Sequence, residues 1–337
     1  MSRTSFAHLT PGRGERASGM VRVPGIEPAW EIPAFVLRGG DPGPTLAVTA
    51  GIHCAEYPGI AAALRLARET DPAELRGTLI VVPLVNTPGF YERSMYTNPR
   101  DGKNINRTFP GRPDGTPAER LTHFLTTELL SGSDAYVDLH GGDLIEALIP
   151  FTLYPRTGRE AVDRQSEALA EAFDLDFILA VGADAVPGAS YTAAAGLGVP
   201  AIIAEVGQQG ILDPAAVERH VRGLRNVLIR LGMISGQEVL YASPRRLERF
   251  VWLRAPTQGL FYPAVSAGQT VEAGQPVGEV RDLFGEPVGD LRAPASGPVL
   301  FVVTALAVRR DDPLLGIGEE QSAEGRTVQG EHPNKTL

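Results

Sequence analysis

Cysteine is nearly absent: the 337 residues include a single one, Cys54. An intrachain disulfide is therefore excluded, and a reducing compartment, the cytoplasm, is the expected setting. Long apolar runs are missing too, and none approaches the ~18 residues of a membrane-spanning helix. Residues 1–22 are polar, broken by Pro11, Gly12 and Gly14, and lack an apolar stretch of signal-peptide type. Basic residues are in the minority, 31 against 40 acidic, for a net charge of −9 and a pI near 5.3. Nucleic acid, which needs a basic surface, is excluded as an expected partner. A small anion held by a local arginine cluster is not.

The bulk composition, 43% hydrophobic and 21% charged, is that of an ordinary globular protein with room for more than one domain. Between residues 44 and 231, short apolar runs alternate with helical periods. Strands are expected at 44–49, at 78–85 (apolar on both faces), at 135–139 and at 200–204. Helices are expected at 59–70, 116–130, 159–173 and 213–231. Thr116-Pro117-Ala118-Glu119 carries a capping-box signature, with proline at the first helical position. This alternation predicts an α/β/α sandwich with a mixed sheet. After about residue 241 the pattern turns to glycine, proline and short β-prone runs, the mark of a small all-β domain. The expected division is an N-terminal extension (1–22), a catalytic domain (23–240), a small β domain (241–315) and a mobile tail (316–337).

Three segments carry the chemistry: Gly51-Ile52-His53-Cys54-Ala55-Glu56, Asp138-Leu139-His140 and Glu205-Val206-Gly207. His53 and Glu56 are three apart, which on a helical turn brings both side chains to one face. His140 adds a second imidazole directly after an apolar strand. Two histidines and a carboxylate are a common ligand set for catalytic zinc, which keeps a further position open. Glu205, directly after another strand, supplies a free carboxylate that can serve as a base. All these residues follow strands, where open α/β sheets bind their ligands. Taken singly, an H-x-x-E pair is usually a surface pair and a lone histidine usually structural; the coincidence raises the odds. The polar loop 98–111 adds Asn106-Arg107, an amide and a guanidinium fork suited to a carboxylate. Its plainer reading is a solvated loop, but Phe109-Pro110-Gly111 can anchor it to the core.

The set Gly51-x-His53-x-x-Glu56, Asn104-Ile105-Asn106-Arg107-Thr108-Phe109-Pro110-Gly111, Asp138-Leu139-His140 and Glu205-Val206-Gly207 resembles the succinylglutamate desuccinylase/aspartoacylase family, relatives of the zinc carboxypeptidases. The resemblance implies one zinc per chain on His53, Glu56 and His140, with Glu205 as general base. It implies that Asn106 and Arg107 hold a substrate carboxylate, with Arg107 counted also among the catalytic groups and Asn104 among the substrate contacts. Family members use an arginine upstream to polarise the scissile carbonyl; Arg93 and Arg100 are the candidates, and spacing does not choose between them. The implied reaction is amide hydrolysis of a small N-acyl amino acid, and the Asn104–Gly111 wording looks closest to relatives that cleave acetyl-diamino acids. Cys54 stands where the family often has glycine, and is expected to be a small buried side chain rather than a ligand. Ala55 replaces a position that is often polar, which bears on substrate identity.

Two rivals use the same ligands: a metallocarboxypeptidase acting on peptides, and a metal-binding protein without turnover. The β-rich part also resembles a biotinyl/lipoyl-type barrel. Carriers of that kind need a lysine at a hairpin tip, and no lysine occurs between Lys103 and Lys335. A scaffold or lid is the expected role of that part, and assembly into a homo-oligomer is possible.

Overall fold

The computed structural model describes residues 4–182, 185–241 and 243–320. The chain opens with β1 (Glu15–Val23), β2 (Trp30–Arg38) and β3 (Asp41–Ala50), then α1 (Tyr57–Glu69), β4 (Arg76–Val82), α2 (Thr87–Glu92) and α3 (Pro117–Leu125). There follow β5 (Ala135–His140), β6 (Glu146–Leu148), β7 (Phe151–Arg156), α4 (Glu160–Phe173), β8 (Phe177–Gly182), α5 (Ser190–Gly196), β9 (Ala201–Glu205) and α6 (Pro214–Arg230). The last part is all strand: β10 (Arg245–Arg254), β11 (Gly259–Pro263), β12 (Thr270–Val271), β13 (Pro276–Arg281), β14 (Pro287–Arg292), β15 (Gly297–Val303), β16 (Ala307–Val308) and β17 (Pro313–Glu320).

The centre is parallel: β4, β3, β5 and β9 lie side by side, with β7 antiparallel to β9. These strands are apolar at nearly every position because helices cover both faces. Period-two alternation divides them between two cores. Leu46, Val48, Val137 and Leu139 face a core shared with α1, α4 and α6. Ala47, Ile80, Val82 and Tyr136 face the opposite core, with α3 and α5. The α/β sandwich with a mixed sheet is thus the observed architecture.

The C-terminal strands depart from the expected separate domain. β10 pairs parallel with β8, β17 pairs with β10 and β15 with β17, so the central sheet runs on through them to 13 strands. Among the described residues, only β11, β13, β14 and β16 form an antiparallel sheet of their own. Toward both ends, the described residues include strands that the sequence did not mark. β1 pairs with β2 over residues 15–23, so the last third of that supposed extension is an edge strand whose outward positions are wet, which is why it reads as polar. Residues 316–320 of the supposed tail belong to β17, and residues 321–337 lie outside the described residues. Among the described residues no helix is long and apolar enough to cross a membrane.

Candidate active site

The first ligand segment bridges β3 and α1. Gly51 has φ of +63°, and a Cβ there would meet Leu84 Cδ1 at 2.7 Å. Glycine lets the chain turn out of the sheet at that point. His53 and Glu56 follow in the turn, with Glu56 at the N-cap of α1 and a proline in the helix's first turn. His140 ends β5 and Glu205 ends β9, and the parallel register sets these two residues side by side.

One donor atom each from His53, Glu56 and His140 lie within 4.8 Å of one another. Glu56 stands between the rings, with Oε1 2.9 Å from His53 Nδ1 and Oε2 2.9 Å from His140 Nδ1. The far nitrogens are tied back. His53 Nε2 lies 3.1 Å from Asn104 Oδ1, an oxygen that also accepts the Asn106 N–H at 2.9 Å. His140 Nε2 lies 3.0 Å from Asp138 Oδ2, and the other Asp138 oxygen accepts from the Thr49 hydroxyl at 2.6 Å. Acceptors at both Nε2 atoms keep hydrogen there and leave Nδ1 of each ring for a cation. Metal-bound histidines are commonly oriented this way by an outer acceptor. The donor set therefore fits a divalent ion on Nδ1, Nδ1 and a carboxylate.

The charges agree. Burial works to raise the Glu56 pKa, but the two imidazoles overcome it and hold the carboxyl at about 2. Burial lowers the His140 pKa, yet Asp138 and Glu56 drive it well above the usual histidine value; His53 is raised by Glu56 against the same penalty. A cation entering here displaces protons from both rings, so its affinity falls as pH falls. Glu205 is lifted well above the usual carboxylate value, first by burial, then by the charges of Glu56, Glu146 and Asp138 against an opposing pull from His140. Cys54 is buried, its thiol donating to the Ser94 carbonyl at 3.2 Å and pushed up to about 12, chiefly by burial. It is a packed thiol outside the ligand set.

The 98–111 loop is pinned to this centre. Ile105 and Phe109 are buried in the second core. Asn106 is buried as well, its Oδ1 accepting the Ser190 N–H at 2.8 Å and its Nδ2 3.5 Å from His140 Nε2. Asn104 therefore supports His53, Asn106 is held by the Ser190 N–H, and both border the cavity. Arg107 is open to the cavity, and packing around it lowers its pKa, though a guanidinium stays charged. Neither candidate for the carbonyl-polarising arginine borders the cavity. Arg93 is exposed at the C-cap of α2, and Arg100 donates to the Pro28 and Ala29 carbonyls with its guanidinium 5.2 Å from the Trp30 ring.

Other groups escaped the sequence reading. Tyr96 has φ of +58°, its N–H bonded to Asp143 Oδ2 at 2.9 Å and its ring edge-on to His53 at 6.1 Å. Glu146 reaches about 7, first through burial and then through the Glu56 charge. Asp138, the outer partner of His140, was visible only as the residue before Leu139. No periodicity marks Tyr96 or Glu146, because Tyr96 sits in a bend and Glu146 opens the three-residue strand β6, too short to show a pattern.

The sequence model of the succinylglutamate desuccinylase/aspartoacylase catalytic domain matches residues 42–231, more than half of the chain. The chain belongs to this family. Among curated relatives, the N-alpha-acetyl-L-2,4-diaminobutyric acid deacetylase of Halomonas elongata is 29% identical over 302 residues, 87% of this chain and 86% of the relative. Among solved structures, the product-bound ectoine utilization protein EutE (DoeB) of Ruegeria pomeroyi superposes with a TM-score of 0.85 at 27% identity, covering 94% of this chain and 100% of that one. A succinylglutamate desuccinylase/aspartoacylase of Rhodobacter sphaeroides gives a TM-score of 0.81 at 28% identity, over 91% and 96% of the two chains. The desuccinylase/aspartoacylase fold thus extends through the C-terminal strands, beyond the matched catalytic segment.

Proposed function

We infer that this family member is a zinc-dependent hydrolase that cleaves the amide bond of an N-acyl amino acid. The observation that carries the reading is the convergence of His53 Nδ1, His140 Nδ1 and the Glu56 carboxylate beside Glu205. The Halomonas relative, named a deacetylase of an N-acetyl diamino acid, supports the same class of reaction. Zinc held by His53, Glu56 and His140 would supply a Lewis acid that polarises the scissile carbonyl and acidifies a water. Asp138 and Asn104 keep the two rings turned for that task. Arg107 receives the substrate carboxylate, aligning the amide and reducing the entropy cost of reaction. Glu205, whose proton affinity is lifted by burial, takes a proton from the attacking water and returns it to the leaving nitrogen. The C–N bond breaks, water supplies oxygen to the acyl carbon, and a carboxylic acid and a free amino acid leave.

The test is metal content by mass spectrometry together with a substrate panel. One zinc per chain in the wild type, lost in His53→Ala, and hydrolysis of acetyl- or succinyl-amino acids are expected. Hydrolysis of peptides in preference to N-acyl amino acids would replace the reading with a metallocarboxypeptidase. A protein that takes up no zinc when zinc is offered would remove it altogether.

A further inference from the structure

Glu205 is the cross-strand neighbour of Phe151 in the β9–β7 pair, so both side chains share one face of the sheet. From Phe151 an aromatic path leads away from the metal residues. Its ring lies 6.2 Å from Phe250, and Phe250 stacks on Phe301 at 6.0 Å with 16° between the planes. Trp252 closes the group at 4.7 Å from Phe250 and 5.2 Å from Phe301. Leu153 and Leu179, paired across β7 and β8, extend the same wall. This face and the metal residues line one cavity of about 1060 Å³. That is at the top of the ~300–1,000 Å³ range usual for small-molecule sites. A short acyl group on a small amino acid would leave much of the apolar part unfilled.

Arg107 decides which half of the substrate enters the chamber. It lies within the field of Glu205, Tyr191 and Arg254, and the Arg254 guanidinium sits 5.5 Å from the Trp252 ring. Arg107 lines the same cavity as Phe250 and Trp252, so the carboxylate site and the aromatic face share one chamber, with Tyr96 beside His53. A molecule with its carboxylate on Arg107 directs its amino-acid side chain among the rings. The acidic residues of the lining do not stand there to receive a cation. Glu248 and Asp312 line the cavity together with Arg249 and Arg309, Asp312 also accepts the Arg309 N–H at 2.7 Å, and Glu146 accepts the Asp143 N–H at 3.1 Å.

We propose that the chamber binds the side chain of the amino-acid half of the substrate, and that this side chain is large and apolar, aliphatic or aromatic. The proposal rests on the N-acyl amino acid reading above and names its substrate class. The zinc-loaded enzyme is assayed on acetyl-glycine, acetyl-norvaline, acetyl-norleucine, acetyl-phenylalanine and acetyl-2,4-diaminobutyrate, with a second series that lengthens the acyl group on one fixed amine. The kcat/KM is expected to rise about fourfold per added side-chain methylene, with the diamino substrate below norleucine. Phe250→Ala, and the half-exposed Trp252→Ala as a variant safer for folding, should each cut the norleucine-to-glycine ratio about tenfold. A flat side-chain series, a preference for the diamino acid, or a gain confined to the acyl series overturns the proposal. If no N-acyl amino acid is hydrolysed, the catalytic reading falls and the chamber is judged by calorimetry with free L-norleucine, L-tryptophan and glycine. Tighter binding of the large amino acids, weakened in both variants, upholds the chamber; equal or absent binding rejects it.

Discussion

Single side chains carry the chemistry here, and their partners make separable predictions. Glu205 is the proposed proton carrier but not a ligand, so Glu205→Gln should keep its zinc and lose roughly 10²–10⁴ in kcat. Metal analysis beside steady-state kinetics checks both halves, and wild-type turnover would remove the assignment. Asp138 lies behind His140, outside the ligand set, and is fully buried with Thr49 and Ser190 as further partners. Asp138→Asn should weaken zinc affinity by about 10–100-fold, measured by competition with a chromogenic chelator. At this scale the sequence was legible where a residue follows an apolar strand, as His140 and Glu205 do. It left Arg93 and Arg100 undecided, because charge shows in a sequence and direction does not. Arg100 is consumed by the Pro28 and Ala29 carbonyls, partners some seventy positions away in the chain.

At the scale of elements, turns at strand ends do the positioning, and helix starts secure them. Glu119 accepts the Thr116 N–H at 2.8 Å at the start of α3, and Asp101, from the 98–111 loop, accepts the Ala118 N–H at 2.8 Å. The capping signature was readable, whereas the contribution of Asp101 needed the loop's fold. The Thr116 N–H, then Lys103 and Arg112, hold Glu119 at about 2 against an ordinary value of 4.5. A folded-state value below the unfolded one means stability that is present above pH 4.5 and lost as pH falls toward 2. Urea midpoints of wild type and Glu119→Gln should therefore differ at pH 6 and converge toward about pH 2–3. A gap that persists unchanged in acid would assign the effect to something other than ionisation. The central strands β3, β4, β5 and β9 were legible because burial on two faces leaves apolar runs, and α1, α3, α4 and α6 by their helical periods, whereas β2, β7, β8, α2 and α5 were not marked. β1 and β17 were not, since an edge strand and a glycine-broken strand resemble linkers.

For the molecule as a whole, the metal residues join separate parts of the chain: the β3–α1 turn and the end of β5. A ligand bound only by the native state stabilises it by about 2.7 kcal/mol at a hundredfold excess over Kd. Zinc should accordingly raise Tm, a chelator should reverse the rise, and His140→Ala should abolish the response in differential scanning fluorimetry. An equal shift in that variant would locate the metal elsewhere.

The unbroken pairing of β8 with β10, and on through β17 and β15, also governs how the molecule can be divided. A chain stopped at residue 240 would end just past α6 and still contain every proposed ligand. It would also leave β8 with a bare row of backbone donors and acceptors, an adhesive border toward its own copies. The shortened protein is expected to elute as aggregates in size-exclusion chromatography, and a soluble monomer would contradict this. Motif boundaries and foldable boundaries thus fall at different places in this chain, and minimal versions should be cut after the last strand rather than after the last catalytic residue.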